Sequence, residues 1–206
     1  KIAFLAYCSI LRDGYAALPD RTGVAPLRAH TYYEPFDYQA GVHPKVVTVP
    51  YEEDLAAVEA DIAQIKKSVD IVIASLHWGI HFIPRTIAAS QPIVAKAVFA
   101  AGADLILGHH AHTPKAIGVY DEKVCFYSLS NFIMSGTAKS EESAAIFEER
   151  YGVKLDPDYP HLAYGSDAKR TLVAKAVLTR DGVSRVSFLP TLIDKQLRPE
   201  VLGPGD

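Results

Sequence analysis

The chain carries eight histidines, and three of them stand where short apolar runs end. His77 lies in Ser75-Leu76-His77-Trp78-Gly79. His110 and His112 lie in Gly108-His109-His110-Ala111-His112, directly after Asp104-Leu105-Ile106-Leu107. A strand alternates its side chains with period two, so His110 and His112 are expected on one side and His109 on the other. Neutral imidazole nitrogens suit Zn, Mn or Fe. Such ions lower the pKa of bound water and polarise phosphoryl oxygens. The pattern therefore points to a metal-dependent hydrolase with His77, His110 and His112 as metal ligands. His109, on the other side, is expected to orient a ligand or give a proton to a leaving group, and is the candidate catalytic residue. Its plainer reading is a core histidine. Gly108 is expected to give room for close approach of backbone at the site.

Further candidates surround these. His81, four residues after His77, is an extra ligand or a substrate contact. Trp78 lines a pocket wall or packs the core. Asn131, in Tyr127-Ser128-Leu129-Ser130-Asn131-Phe132, faces the site or stabilises a turn. Trp78, His81 and Asn131 form the expected substrate-binding set. His30, His43 and His161 lie in loop-like segments without partner spacing and read as exposed. No Ser-centred nucleophile elbow, Gly-rich phosphate loop or Cys–His pair is present.

Alternating elements must position these groups. Residues 1–8 read as a strand. Residues 9–45, rich in Pro, Gly, Tyr and Asp, read as a long surface excursion. Val46-Val47-Thr48-Val49 is a short strand stopped by Pro50. Leu55, Val58, Ile62 and Ile65 recur at helical spacing over 52–67, behind the acidic Glu52-Glu53-Asp54. A strand at 71–76, an Ala-rich helix at 87–101 closed by Gly102 and a strand at 104–108 complete a β–α–β–α–β alternation. That order implies a parallel sheet with crossover helices, whose ligands gather beyond the carboxyl ends of the strands. Two hairpins follow, around Asp121-Glu122 and around Arg180-Asp181-Gly182. A modest helical signal covers 138–151, residues 152–169 read as loop, and the tail 197–206 reads as peripheral.

Composition narrows the field. The 206 residues suffice for one domain with a sizeable core, and 49% hydrophobic with 22% charged residues is ordinary for a globular chain. The net charge of -3 and the scatter of the 21 basic residues argue against nucleic acid as partner. No stretch is long and apolar enough for a transmembrane helix. Cys8 and Cys125 sit in apolar runs and read as buried free thiols, with a disulfide as the alternative. Lys1 to Tyr7 reads as a strand rather than a leader peptide, as expected of a chain that opens partway along.

The segments Ser75-Leu76-His77-Trp78-Gly79, Pro84, Gln91, Ala101 to His112 and Phe126-Tyr127-Ser128-Leu129-Ser130-Asn131-Phe132 together resemble the bacterial capsule-synthesis CapA family. The likeness runs from Lys1 to about residue 133, and Leu192-Ile193-Asp194 with Arg198-Pro199 also fits. That family is linked to poly-γ-glutamate capsules and belongs to the calcineurin-like metallophosphoesterase superfamily. The resemblance implies an α/β fold, part of an αββα sandwich with parallel strands and crossover helices followed by antiparallel hairpins. It implies two divalent ions of Mn, Fe or Zn, with His77 as a lone ligand and His110 and His112 as a closing pair. It implies a phosphorylated small molecule or a cell-envelope polymer precursor as partner. The superfamily's Asp-x-His, bridging Asp and Asn-His segments find no match before His77. Residues 1–206 are therefore expected to be the C-terminal portion of one domain, binding metal weakly or singly and hydrolysing poorly alone. His81 stands where relatives commonly carry Glu, and Ser130 where they carry Gly. The alternative reading is a non-catalytic component of polymer assembly that keeps the fold as a binding surface.

Overall fold

The computed structural model describes residues 1–136, 138–162 and 164–205. Its centre is a five-stranded sheet of β1 (Ile2–Cys8), β4 (Ile71–His77), β5 (Leu105–His109), β7 (Lys123–Phe126) and β6 (Ile117–Tyr120), in that order. The first four run parallel and β6 is antiparallel to β7. The near-continuous apolar run of β4 is buried on both faces, as parallel strands are. Val72, Ala74 and Leu76 meet α1 (Glu52–Lys66) and α2 (Ser90–Ala100) through Val58, Ile62, Val94 and Val98. Ile71 and Ile73 face the opposite way, onto Leu172, Ala174 and Ala176 of β8 (Arg170–Thr179). With β9 (Gly182–Ile193) and β10 (Pro199–Val201), β8 forms a three-stranded antiparallel sheet. The result is the expected α/β sandwich: helices, a mostly parallel sheet, then antiparallel strands. Burying an aliphatic side chain of this size is worth about 1.5–3 kcal/mol, so the two cores on either face of β4 fix the position of its carboxyl end.

Both expected hairpins form. Asp121 and Glu122 take positive φ, the backbone that a two-residue turn between twisted strands requires. β8 and β9 pair with a bulge at Val177/Leu178. The third helix, α3 (Glu141–Tyr151), is capped by Ser140 and stops at Gly152, whose φ of 63° is left-handed.

Three expectations are corrected. The excursion over 9–45 contains a strand, β2 (Ala29–Glu34), paired antiparallel with β3 (Lys45–Pro50). This ribbon is largely exposed, so its sequence shows no apolar alternation. β3 therefore lies outside the parallel sheet, where β1 pairs with β4 instead. The tail is not wholly peripheral: Leu197 is buried, and β10 pairs with β9 behind an Arg198–Asp194 ion pair. The 152–169 loop is anchored by buried Leu162 and Ala168. Ala163 of that loop and Asp206 of the tail lie outside the described residues. Cys8 and Cys125 are free thiols.

Candidate functional site

His77 and His109 are the last residues of β4 and β5 and are register partners. Directly opposed residues share a sheet face, so both imidazoles point away from the helices. The chain then leaves the sheet. His110 has φ 97° and His112 φ 54°. The strand alternation expected for this segment ends at His109, and it is these left-handed steps that turn the later rings back. Left-handed turns, not strand alternation, thus direct the His110 and His112 rings. Such conformations are costly for a residue with a Cβ and concentrate where a site over-determines them.

The turn after β4 brings His81 into the group. Gly79, at φ 95°, lets the chain reverse, and the His81 ring stacks on His110 with centroids 3.7 Å apart. His77 Nε2 and His110 Nδ1 are 3.0 Å apart, and His81 lies 5.5 Å from His112 between centroids. His77, His110, His81 and His112 therefore form one string of rings at the carboxyl edge of the parallel sheet. His112 Nδ1 lies 2.6 Å from Asn131 Oδ1, while Asn131 Nδ2 donates to the Ala168 carbonyl at 2.9 Å. An oxygen acceptor at Nδ1 makes that nitrogen the protonated one, which leaves the lone pair of neutral His112 on Nε2. Asn131 thus holds His112 rather than open space.

Every ring takes a proton less readily than a free imidazole. Burial, then His81 and the other imidazoles, push His110 down to about 3. Burial and His112 push His81 down to about 4. His77 is lowered by burial and by His109, and His109 by burial. His112 is lowered by burial against the opposing pull of Asn131. Among the described residues no carboxylate acts on these rings.

Aromatic residues complete the wall, and sequence reasoning missed them. Tyr164 stacks on His112 at 3.9 Å and Phe82 on His81 at 4.4 Å, with Tyr151 of α3 against Phe82. They come from segments without a clear period. Their signal was only the density of aromatics in loop-like sequence. Trp78 is elsewhere: it is buried on the helix side of the sheet, stacked on Tyr127 and donating to the Tyr127 carbonyl at 3.1 Å. Gly108 also serves that side, where a Cβ would lie 2.6 Å from Trp78 Nε1.

The donor chemistry, neutral imidazoles without carboxylates, fits two nitrogens on one ion, from His77 and His110. The pair of ions is expected of the complete protein; among the described residues no carboxylate joins the cluster to bridge a second ion. Among the described residues no three His, Cys, Asp or Glu side chains are arranged to hold a metal ion.

An α/β protein with an imidazole cluster at the carboxyl edge of a parallel sheet is the class that fold and site define. Residues 1–136 match the family described as bacterial capsule synthesis protein PGA_cap, and the chain belongs to that family. It is 37% identical over 82 residues to the capsule biosynthesis protein CapA of Bacillus anthracis, covering 39% of this chain and 20% of that protein. It is 40% identical over 86 residues to the PGA biosynthesis protein CapA of Bacillus subtilis (strain 168), covering 41% and 22%. The matched segments thus span about a fifth of those relatives. A crystal structure of a hypothetical protein from Thermus thermophilus superposes over 84% of this chain and 64% of that one, with 12% identity and a TM-score of 0.44.

Proposed function

We propose that this chain is the histidine-bearing segment of a protein of poly-γ-glutamate capsule synthesis that hydrolyses phosphate or related esters with a divalent transition metal. The observation that carries the reading is the string of four neutral imidazoles at the sheet edge. The names of the matched relatives support the capsule assignment. The partner in this reading is a phosphorylated small molecule or a polymer precursor.

His77 and His110 would hold the ion, which supplies a polarising charge for a phosphoryl oxygen and a more acidic bound water. Asn131 fixes the His112 tautomer, so that Nε2 stays a lone-pair donor. In this reading His109, the register partner of His77, orients it or moves a proton at a leaving group. Phe82 and Tyr164 exclude water from the rings they cover. A second ion needs a carboxylate to offset cation repulsion, and the cluster has none. In this reading that group comes from a part of the protein beyond these residues.

The same lack favours a second reading, a binding component of polymer assembly without catalysis. Elemental analysis and release of nitrophenol from an aryl phosphate separate the two. The hydrolase reading expects at most one weakly held ion per chain, slow turnover, and a loss of both by roughly tenfold or more in His110→Ala. Metal content and turnover equal to those of His110→Ala would leave only the second reading.

A further inference from the structure

A separate cavity of about 330 Å³ lies between the β2–β3 ribbon, the turn after β4 and the start of α2. It is on the helix side of β4, where Trp78 packs, and away from the face that bears His77 and His109. Leu27, Val46, Ile80 and Val94 make its walls apolar. Its polar groups have one direction in common.

Gln91 is 3% exposed. Its Oε1 accepts from Ala88 N, just ahead of α2, at 2.7 Å. That bond orients the carboxamide and leaves Nε2 facing the cavity with no protein partner among the described residues. Gly79 makes the placement possible, because a Cβ there would lie 2.7 Å from Nε2. The hydroxyl of Thr48 accepts from Ser90 N at 2.9 Å and donates to Ser90 Oγ at 3.1 Å, so the Ser90 proton is free to point inward. The Ser9 hydroxyl is spent on the Leu27 carbonyl. Arg28 gives Nε and Nη2 to Asp54, with Nη2 also within reach of Glu53, which leaves Nη1 without a protein acceptor among the described residues. The uncommitted groups of Ser90, Arg28 and Gln91 are therefore donors.

The Gln91 N–H groups find no acceptor in the described protein and are reached from the cavity, so the cavity favours a ligand that brings acceptors. Asp54 and Glu53 balance the charge of Arg28, and the remaining positive bias comes from the amino end of the eleven-residue α2. A planar carboxamide offers two N–H groups in one plane, which suits a planar carboxylate, and the apolar walls suit a short methylene stem. We propose that this cavity binds a carboxylate carried on a short apolar stem, with the Gln91 carboxamide and the Arg28 guanidinium as its donors. Only the choice of glutamyl probes rests on the proposed capsule role; the site itself is independent of the histidines.

The test is a titration of the ¹⁵N-labelled chain, observing the side-chain NH₂ of Gln91. The probes are L-glutamate, γ-linked triglutamate, the neutral diamide glutaramide and inorganic phosphate. A saturable shift with L-glutamate or triglutamate, and none with glutaramide at the same millimolar concentration, supports the proposal. A response to triglutamate alone assigns the carboxylate to the linked chain, and one to L-glutamate to the free acid. Gln91→Glu keeps an oxygen for Ala88 N but replaces the donor by a second anion, and affinity should fall roughly tenfold or more. The wild-type titration decides the matter even where that variant folds poorly. No shift with either carboxylate, an equal shift with glutaramide, or tighter binding of phosphate overturns the proposal. None of these readouts depends on metal or hydrolysis at His110.

Discussion

Each histidine of the cluster binds its proton less readily in the folded chain than in solution. The direction is the same for His77, His81, His109, His110 and His112, and burial is the first cause for all of them. The folded values lie below the ordinary 6.5, so the unfolded chain binds more protons between the two. Stability is therefore complete above that value and falls as pH drops toward the folded values of about 4 for His81 and about 3 for His110. Thermal unfolding in chelator should show a lower midpoint at pH 5 than at pH 7.5, and a shallower slope in the double variant His81→Phe, His110→Phe. A midpoint independent of pH across this range would mean that the rings are solvated rather than crowded. The residue types of this cluster were legible in the sequence, as was their place after apolar runs. The means of convergence was not. It depends on positive φ at His110 and Gly79, and only the glycine announces such a backbone.

At the scale of elements, Gly108 and Gly152 separate two reasons for glycine. A Cβ at Gly108 would lie 2.6 Å from Phe126 O and Trp78 Nε1 and closer still to Tyr127 O, all parts of the packed sheet. Gly152 meets nothing and is needed only for its left-handed φ at the end of α3. Urea unfolding should show Gly108→Ala destabilised by about 1–3 kcal/mol or more through overpacking, and Gly152→Ala by about 1 kcal/mol. Equal effects would mean that the chain around Gly108 yields to the added methyl and that the contact with β7 is not tight. The same contrast explains which elements the sequence discloses. α1, β4, β5 and the two hairpins carry burial patterns or turn pairs that a period reveals. β2 exposes most of its length, and β10 is three residues, so neither has an apolar rhythm to read. They exist because β3 and β9 offer edges to pair with.

The central sheet carries a core on each face, a third apolar cluster gathers Leu162, Ala168, Ile193 and Leu197, and the β2–β3 ribbon is attached at the margin. Phe4 of β1, 66% exposed, marks how open that margin is. Few side-chain bonds fasten the ribbon. Asp54, 4% exposed in the first turn of α1, accepts from the backbone N, Nε and Nη2 of Arg28 at 2.7, 2.8 and 2.6 Å. Arg28 in turn lies over the Tyr51 ring. The Arg28 bond holds the Asp54 carboxyl below its ordinary value, so this contribution is present above the normal carboxylate range and is lost as pH falls through the lower folded value. Arg28 is half-exposed and can rehydrate, so the loss of the pair lies between that of a surface pair and that of a buried one. Asp54→Ala should lower stability by about 1–3 kcal/mol, and hydrogen exchange should quicken over residues 29–50 more than in β4 or β5. Since Arg28 also lines the cavity beside Gln91, the variant should alter the carboxylate response there while leaving the rings at the sheet edge in place. Uniform quickening across the chain would mean that the ribbon belongs to the cooperative core, and that the cavity opens only when the whole molecule does.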